Sequence, residues 1–396
     1  MPNEEPRRLA VITTVYYYLS HAQHMADRFL VGYPWKGRWH RPNTKIVSLY
    51  VDQKPEGDQS EVRAQEFGFE VYPTIAEALR CGGDKLAVDG ILSIGEHGEY
   101  SRNELDQVQY PRYEFFKEYV KVFEEDGVAV PVFNDKHLSY SFEKASEMVA
   151  DSHRLGFPML AGSSLPVTCR LPDIDMPFGC TIEDALMVGV GGSDAMDFHA
   201  LESMQCMMER RKGGESGIAS VHLIDGEEVW KTGDEGRWSK RLLEAALSRS
   251  DSPCGLSEED GRTQDLLGTG RLQELVENPA AYFIEYNDGT KATLLLLNKG
   301  VKDYTFAAKV EGLDDLISTQ FYLHPTPPVA YSASLMKNVE DMFMTGKANY
   351  PVERTLLVSG MLEACLKSRA ADHTKRVTPE LNVTYQVGEE SLYARE

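Results

Sequence analysis

Hydrophobic positions along this chain fall into two textures. Over roughly the first 165 residues, short apolar runs alternate with segments whose apolar residues recur every three or four positions. Residues 9–15 (LAVITTV), 45–51 (KIVSLYV), 69–72, 88–94 (VDGILSI) and the run FPMLAGSS from Phe157 read as strands. Ser20 is placed to cap a helix whose apolar face is Ala22, Met25, Ala26, Phe29 and Leu30. Further helices are predicted over 60–67 (ending at Gly68), from Thr74 through Leu79, and over 111–125. Val128, Val130, Val132 and Phe133 predict one more buried strand, followed at once by a short polar turn of Asn134, Asp135, Lys136 and His137. Ser139 or Ser141 then caps a helix that carries Glu143 and Glu147 on its first turns. Strands alternating with helices predict a doubly wound parallel sheet, in which ligands bind where strands end and helices begin. The polar turn lies at such a place. Its bland alternative is a solvated turn that happens to be charged.

Beyond about Pro166 the texture changes. A long amphipathic helix is predicted over 195–211, and strand-like runs follow at 217–225, 280–288, 291–300, 303–312 and 318–325. Asp-Gly, Asn-Asp-Gly and Lys-Gly turns separate them, which favours hairpins and a largely antiparallel sheet. Residues 250–270, rich in Ser, Gly and acid, read as a surface excursion, and 351–369 as a closing helix.

Composition narrows the function classes. A chain of 396 residues exceeds what one hydrophobic core usually holds, so two domains are expected, over 1–165 and 166–396. Lys plus Arg number 41 against 62 Asp plus Glu, a net charge of −21, which disfavours nucleic acid and anionic membranes as partners. No apolar run is long enough to span a bilayer and no signal-peptide pattern opens the chain, so a cytoplasmic protein is expected. Six cysteines (81, 169, 180, 206, 254 and 365) are scattered without a CxxC pair, as expected of reduced thiols.

Several stretches together resemble the Gfo/Idh/MocA family of sugar and polyol dehydrogenases. EFGFEVYPTIAEALR resembles the family's stretch after the second strand, VDGILSIGEHGEY its fourth strand and loop, and NDKHLS its Glu-Lys-Pro segment. GFPMLAGSSLPVT, GGSDAMDFHALESM and YPVERTLLVSGMLEACLKSR resemble the strand closing the nucleotide domain, the Asp/His segment and the last helix. The resemblance implies an α/β fold: an N-terminal Rossmann-like doubly wound parallel sheet, then a C-terminal α+β domain with an open, largely antiparallel sheet. It also implies hydride transfer between a nicotinamide cofactor and a secondary hydroxyl of a sugar or polyol. Lys136 would polarise the hydroxyl, His199 would be the general acid/base, and Asp194 or Asp197 its acidic partner. Such a cation and base suit alcohol oxidation, because one stabilises the developing alkoxide and the other takes its proton. Thr13 and Thr14, with Asp52, Glu96 and His97, would contact the nucleotide, and Asp52 favours NAD over NADP. His137 and Tyr100 are candidate substrate-binding residues. In that family subunits pair through an exposed sheet face, so a homodimer or larger homo-oligomer is expected.

Two departures keep other readings open. The turn after the first strand, TTVYYYLSHAQH, has no glycine where the phosphate-binding pattern G-x-G-x-x-G would stand, and three tyrosines occupy it. Histidines and acids also crowd the same edge: His21, His24, Glu96, His97, Glu99, His137 and His199. His97, His137 and His199 are an alternative ligand set for a divalent metal. A polar sugar pocket, with Tyr16, Tyr17, Tyr18, Trp35, Trp39 and Tyr100 as stacking surfaces, is the other use of such residues. The alternative functions are a lyase, hydratase or isomerase acting on a keto-sugar, or a non-catalytic sugar-binding protein.

Overall fold

The structure, a computed structural model, describes residues 5–251, 267, 270–326 and 329–395. The first part runs β1 (Arg7–Thr13), α1 (His21–Val31), β2 (Tyr33–Trp35), β3 (Arg38–His40), β4 (Thr44–Val51), α2 (Ser60–Phe67), β5 (Glu70–Val71) and α3 (Ile75–Arg80). It continues with β6 (Gly90–Ile94), α4 (Arg112–Asp126), β7 (Val132–Asp135), α5 (Phe142–Leu155) and β8 (Met159–Gly162). Six strands form a parallel sheet in the order β5-β4-β1-β6-β7-β8. Both faces are covered, which explains the continuous apolar runs. Leu9 and Val11 of β1 pack on one side with α1, while Ala10 and Ile12 pack on the other with α3, α4 and α5. The predicted caps form: Ser20, Thr74 and Ser141 each accept from a first-turn amide of the helix that follows.

The second part runs β9 (Arg170–Leu171), β10 (Ile182–Gly189), α6 (Asp194–Met208), β11 (Ile218–Asp225), α7 (Glu227–Asp234), α8 (Lys240–Leu247), α9 (Arg271–Leu275), β12 (Ala280–Tyr286) and β13 (Lys291–Leu296). It ends with β14 (Tyr304–Val310), β15 (Ile317–Phe321), α10 (Tyr331–Thr345), α11 (Val352–Ala370) and β16 (Arg376–Val377). Eight strands order as β16-β11-β12-β13-β10-β14-β15-β9, antiparallel except for the β10–β13 pair. Of the three predicted hairpin turns, only Asn287-Asp288-Gly289 joins adjacent strands. Asp225-Gly226 leads into α7, and Lys299-Gly300 begins a connection that steps over β10 to β14. The predicted 250–270 excursion and Cys254 fall mostly or wholly outside the described residues; Cys81, Cys180, Cys206 and Cys365 are free thiols.

One expectation is corrected by packing. The helix at 195–211 is not amphipathic: α6 buries twelve of its fifteen residues. It lies between the second sheet, α11 and the 3-10 turn Leu165–Val167, and only Ala195, Met196 and His199 keep partial exposure. Leu186, Val188, Ala281, Leu295 and Ala307 are covered by Trp230 of α7, Leu242 and Leu243 of α8, and Trp238 in the turn between them. These two short helices were invisible as sequence patterns. Conversely, α10 returns to the first sheet, where Leu335, Met336, Val339 and Phe343 pack with α1 and β1.

Glu202 on α6 ties the two parts together. Its Oε2 accepts from the Ser163 backbone N at 2.9 Å and the Ser163 Oγ at 2.6 Å. Burial pushes its carboxyl up to about 7, against the pull of the two Ser163 bonds. A raised folded-state value means that the stabilising protonated form is complete below the ordinary glutamate range and is lost as pH rises through 7. Glu202→Gln, which keeps an acceptor for Ser163, is therefore expected to be more stable than the parent at pH 8, by on the order of 3 kcal/mol. Thermal melts at pH 5 and pH 8 check this: the parent's melting temperature should fall between them more than the variant's.

Candidate active site

Parallel pairing brings the carboxyl ends of β4, β1, β6 and β7 to one edge, and the site is built there. Asn134 and Asp135 are the end of β7 rather than a turn, and 132–139 are all buried, which removes the reading of a solvated charged turn. The chain bends at Lys136, whose φ of 59° is left-handed, and its N–H donates to the Gly162 carbonyl at 3.1 Å. His97, in the loop after β6, also has a positive φ, 68°. A non-glycine residue held there costs about 1–3 kcal/mol, which the surrounding packing must sustain.

Glu96 anchors the cluster. Its Oε1 accepts from Lys136 Nζ at 3.1 Å, and its Oε2 takes Arg112 Nη2. Burial alone would raise this carboxyl, but Lys136 and Arg112, with His21 and His137, outweigh it and hold Glu96 well below the usual range. Arg112 Nη1 lies 3.1 Å from His137 Nε2, and its guanidinium sits over Tyr110 at 4.9 Å. Gly95 makes room for it, since a Cβ there would stand 2.6 Å from Arg112 Cγ. Arg112 carried no signal in the sequence; it opens a helix in a stretch, PRYEFF, that reads only as amphipathic.

The histidines divide into two kinds. His137 packs on Phe198, and its Nε2 is 3.9 Å from Asp194 Oδ2, too far for a hydrogen bond. Burial, with Lys136 nearby, holds His199 well below its ordinary value; burial and Arg112 do the same to His137. Burial, then His21, lowers His97 to about 4 and His24 to about 2. His24 Nδ1, His97 Nε2, His137 Nδ1 and His199 Nδ1 are buried without a hydrogen-bond partner, as are Asp135 Oδ1 and Asp194 Oδ2. So many unpaired polar atoms in one cluster suit a polar ligand. His21 differs: its Nδ1 lies 2.6 Å from Asp135 Oδ2.

The two candidate aspartates face different ways. Asp194 stands toward His137 and Arg112, and burial, with Glu96 nearby, raises its carboxyl. Asp197 accepts from Tyr282 at 2.5 Å and borders a separate cavity of about 430 Å³ with Arg369 and Asn298; burial raises it to about 6. Among the described residues, no three His, Cys, Asp or Glu side chains form a group able to hold a metal. The alternative metal set His97, His137 and His199 therefore does not come together as a ligand sphere.

At the other end of the edge, Thr13 and Thr14 brace the loops. Thr13 Oγ1 is 3.0 Å from the Val15 and Ile94 carbonyls, and Thr14 Oγ1 donates to the Glu96 carbonyl at 2.7 Å. The three tyrosines are not packed together in the turn. Tyr16 is buried in the core with its hydroxyl on Asp27, Tyr18 is 59% exposed, and Tyr17 is near His97, ring centroids 6.0 Å apart. Asp52 receives the Tyr50 hydroxyl at 2.9 Å on one oxygen and the Tyr100 hydroxyl at 2.7 Å on the other. Gln53 pairs with the Glu99 backbone through two bonds, 3.1 and 2.9 Å. Tyr100 thus stands with Asp52, not with Lys136.

No protein-family model matches the chain, and no curated protein sequence matches it. Solved structures do. GenD2 from gentamicin A biosynthesis, in complex with NAD, is similar at a TM-score of 0.57 and 14% identity over 94% of this chain and 97% of that one. The myo-inositol 2-dehydrogenase from Lactobacillus plantarum is similar at 0.55 and 13% identity over 94% and 99%. The myo-inositol dehydrogenase from Lactobacillus casei, in complex with NAD(H) and myo-inositol, is similar at 0.54 and 10% identity over 98% and 99%. The likeness is one of fold. The two-part architecture read from the sequence is the architecture of these three proteins. No helix among the described residues is long and apolar enough to cross a membrane.

Proposed function

We propose that the chain is an oxidoreductase that exchanges a hydride between NAD and a secondary hydroxyl of a sugar or polyol. Fold alone does not fix function. The observation that carries the reading is Lys136, an ammonium buried at the carboxyl edge of the parallel sheet, held on Glu96 and set among imidazoles with unpaired nitrogens. Lys136 donates to the substrate oxygen and stabilises negative charge as it develops there. His199, kept neutral, hydrogen-bonds the same hydroxyl. Glu96 and Arg112 fix the ammonium, and Asp194 and His137 support Arg112 from behind. The boundary near residue 165 belongs to this proposal: β8 closes one sheet and β9 opens the other.

The residues fit the nucleotide through their chemistry rather than through a glycine cradle. Asp52 already takes two hydroxyl donors, one on each oxygen, as a ribose diol would supply. Thr13 and Thr14 set the turn, and His97 borders the nicotinamide end. Bound there, nicotinamide supplies the hydride acceptor. The bonds from Gln53 and Tyr100 to the facing loop and strand end must part first. Three exposed hydrogen bonds at about 0.5 kcal/mol each weaken binding by roughly tenfold. The double variant Gln53→Ala, Tyr100→Phe is therefore expected to bind NADH about tenfold more tightly than the parent, as read by fluorescence titration.

The reaction is tested by absorbance at the reduced-nicotinamide band with NAD and a panel of inositols, aldoses and aldonic acids. Turnover of at least one is expected. Folded protein that turns over none of them, in either direction, contradicts the reading.

A further inference from the structure

We propose that His21, held by Asp135, is the group on which the substrate proton ends, an inference that rests on the dehydrogenase reading above. Oxidising a secondary alcohol releases a proton as well as a hydride, and the cleft must receive that proton. Lys136 is already bonded to Glu96 as a donor, and Glu96 is occupied by Lys136 and Arg112. His24, His97, His137 and His199 have no hydrogen bond to a carboxylate; the nearest approach, His137 to Asp194, is 3.9 Å. A proton on any of them would create a cation beside Lys136 and Arg112 with little to offset it.

His21 differs in three ways. Its Nδ1 lies 2.6 Å from Asp135 Oδ2, and Asp135 is wholly buried at the end of β7, so the carboxylate both orients the ring and stabilises the imidazolium. Its side chain is 16% exposed, so the acquired proton has a way to water. Its ring lies 5.1 Å from His97 and 4.9 Å from His24 between centroids, inside the cluster. The groups around it are Asp135 at the end of β7, with Lys136 next in the chain, Glu96 and His97 after β6, His24 on its own helix, and His199 on α6. The step balances simply. The substrate O–H bond breaks and leaves its electron pair on oxygen beside Lys136. An N–H bond forms at His21 Nε2, giving an imidazolium paired with Asp135, and the C–H hydride goes to the nicotinamide named above. This moves the acid/base role expected of His199 to His21 and leaves His199 to orient the hydroxyl.

The test has two arms on the full chain. Nitrogen-15 NMR of the histidine rings at pH 8 reads the dyad without any turnover. His21 is expected as the Nδ1–H form with a bare Nε2, and Asp135→Asn is expected to abolish that preference. An Nε2–H form in the parent overturns the proposal even if no substrate is found. In the second arm, His21→Asn is expected to lower kcat about 10²–10⁴-fold and to remove the acidic limb of the kcat/KM profile, with NADH affinity kept. His199→Asn is expected to keep that limb. A limb that survives in His21→Asn and vanishes in His199→Asn overturns the proposal. A parent that turns over no substrate defeats the dehydrogenase reading, and the NMR arm still decides the dyad.

Discussion

Replacing Lys136 with methionine is expected to lower kcat/KM by about a thousandfold while leaving NADH affinity within about twofold. The magnitude is that of removing one preorganised donor from a developing oxyanion. The ammonium is nearly sealed from solvent, at 4% exposure, so no water molecule replaces it freely at the same point. Arginine is not expected to rescue the loss. The backbone at Lys136 is fixed by its left-handed φ and by the bond to Gly162, and a planar fork cannot reach Glu96 along the path of a flexible stem. Methionine fills much of the same volume, and Glu96 retains Arg112, so the fold should hold. Steady-state kinetics with a matched NADH titration separates the two effects.

Replacing Glu96 with glutamine is expected to be the most damaging single change for stability in the cleft, at about 3–5 kcal/mol. Breaking a buried ion pair costs this much because the charge left behind is uncompensated, and here two cations, Lys136 and Arg112, lose one counter-charge. The pH dependence follows from the direction of the Glu96 shift. Its folded value lies well below the ordinary carboxylate range. The stability it contributes is therefore present above about pH 4.5 and is lost as pH falls further. The parent is expected to lose stability steeply on the acid side, and Glu96→Gln to start lower and fall less. Urea melts from pH 3 to pH 7 measure both the offset and the slope.

Much of this architecture was legible because local signals agreed. In the first part, apolar runs, the caps at Ser20, Thr74 and Ser141, and the stop at Gly68 fall where the elements begin and end. The second part was less legible. β10 carries Glu183 and Asp184 directly after its first residue, Ile182, which hide a buried strand, and α7 carries Glu227, Glu228 and Gly233 within a single eight-residue helix. α6 looked amphipathic because its polar residues are buried rather than exposed; Glu202 and Gln205 find partners in Ser163, Glu215 and Tyr286. In the site, Lys136, Glu96 and His199 could be named because they lie next to strand ends or in a recognisable segment. Arg112 could not, since only the fold brings it beside Glu96. The pairing of His21 with Asp135 spans 114 positions, and no spacing rule reaches that far.

The measurement that bears most directly on the whole account is a fluorescence titration of NADH into the purified, folded chain, run in parallel with Asp52→Asn and with the Gln53→Ala, Tyr100→Phe variant. Saturable binding to the parent is expected, with weaker binding to Asp52→Asn and tighter binding to the variant freed of its cross-cleft bonds. No binding to the parent or to the freed variant, with both shown to be folded, would contradict the dehydrogenase reading.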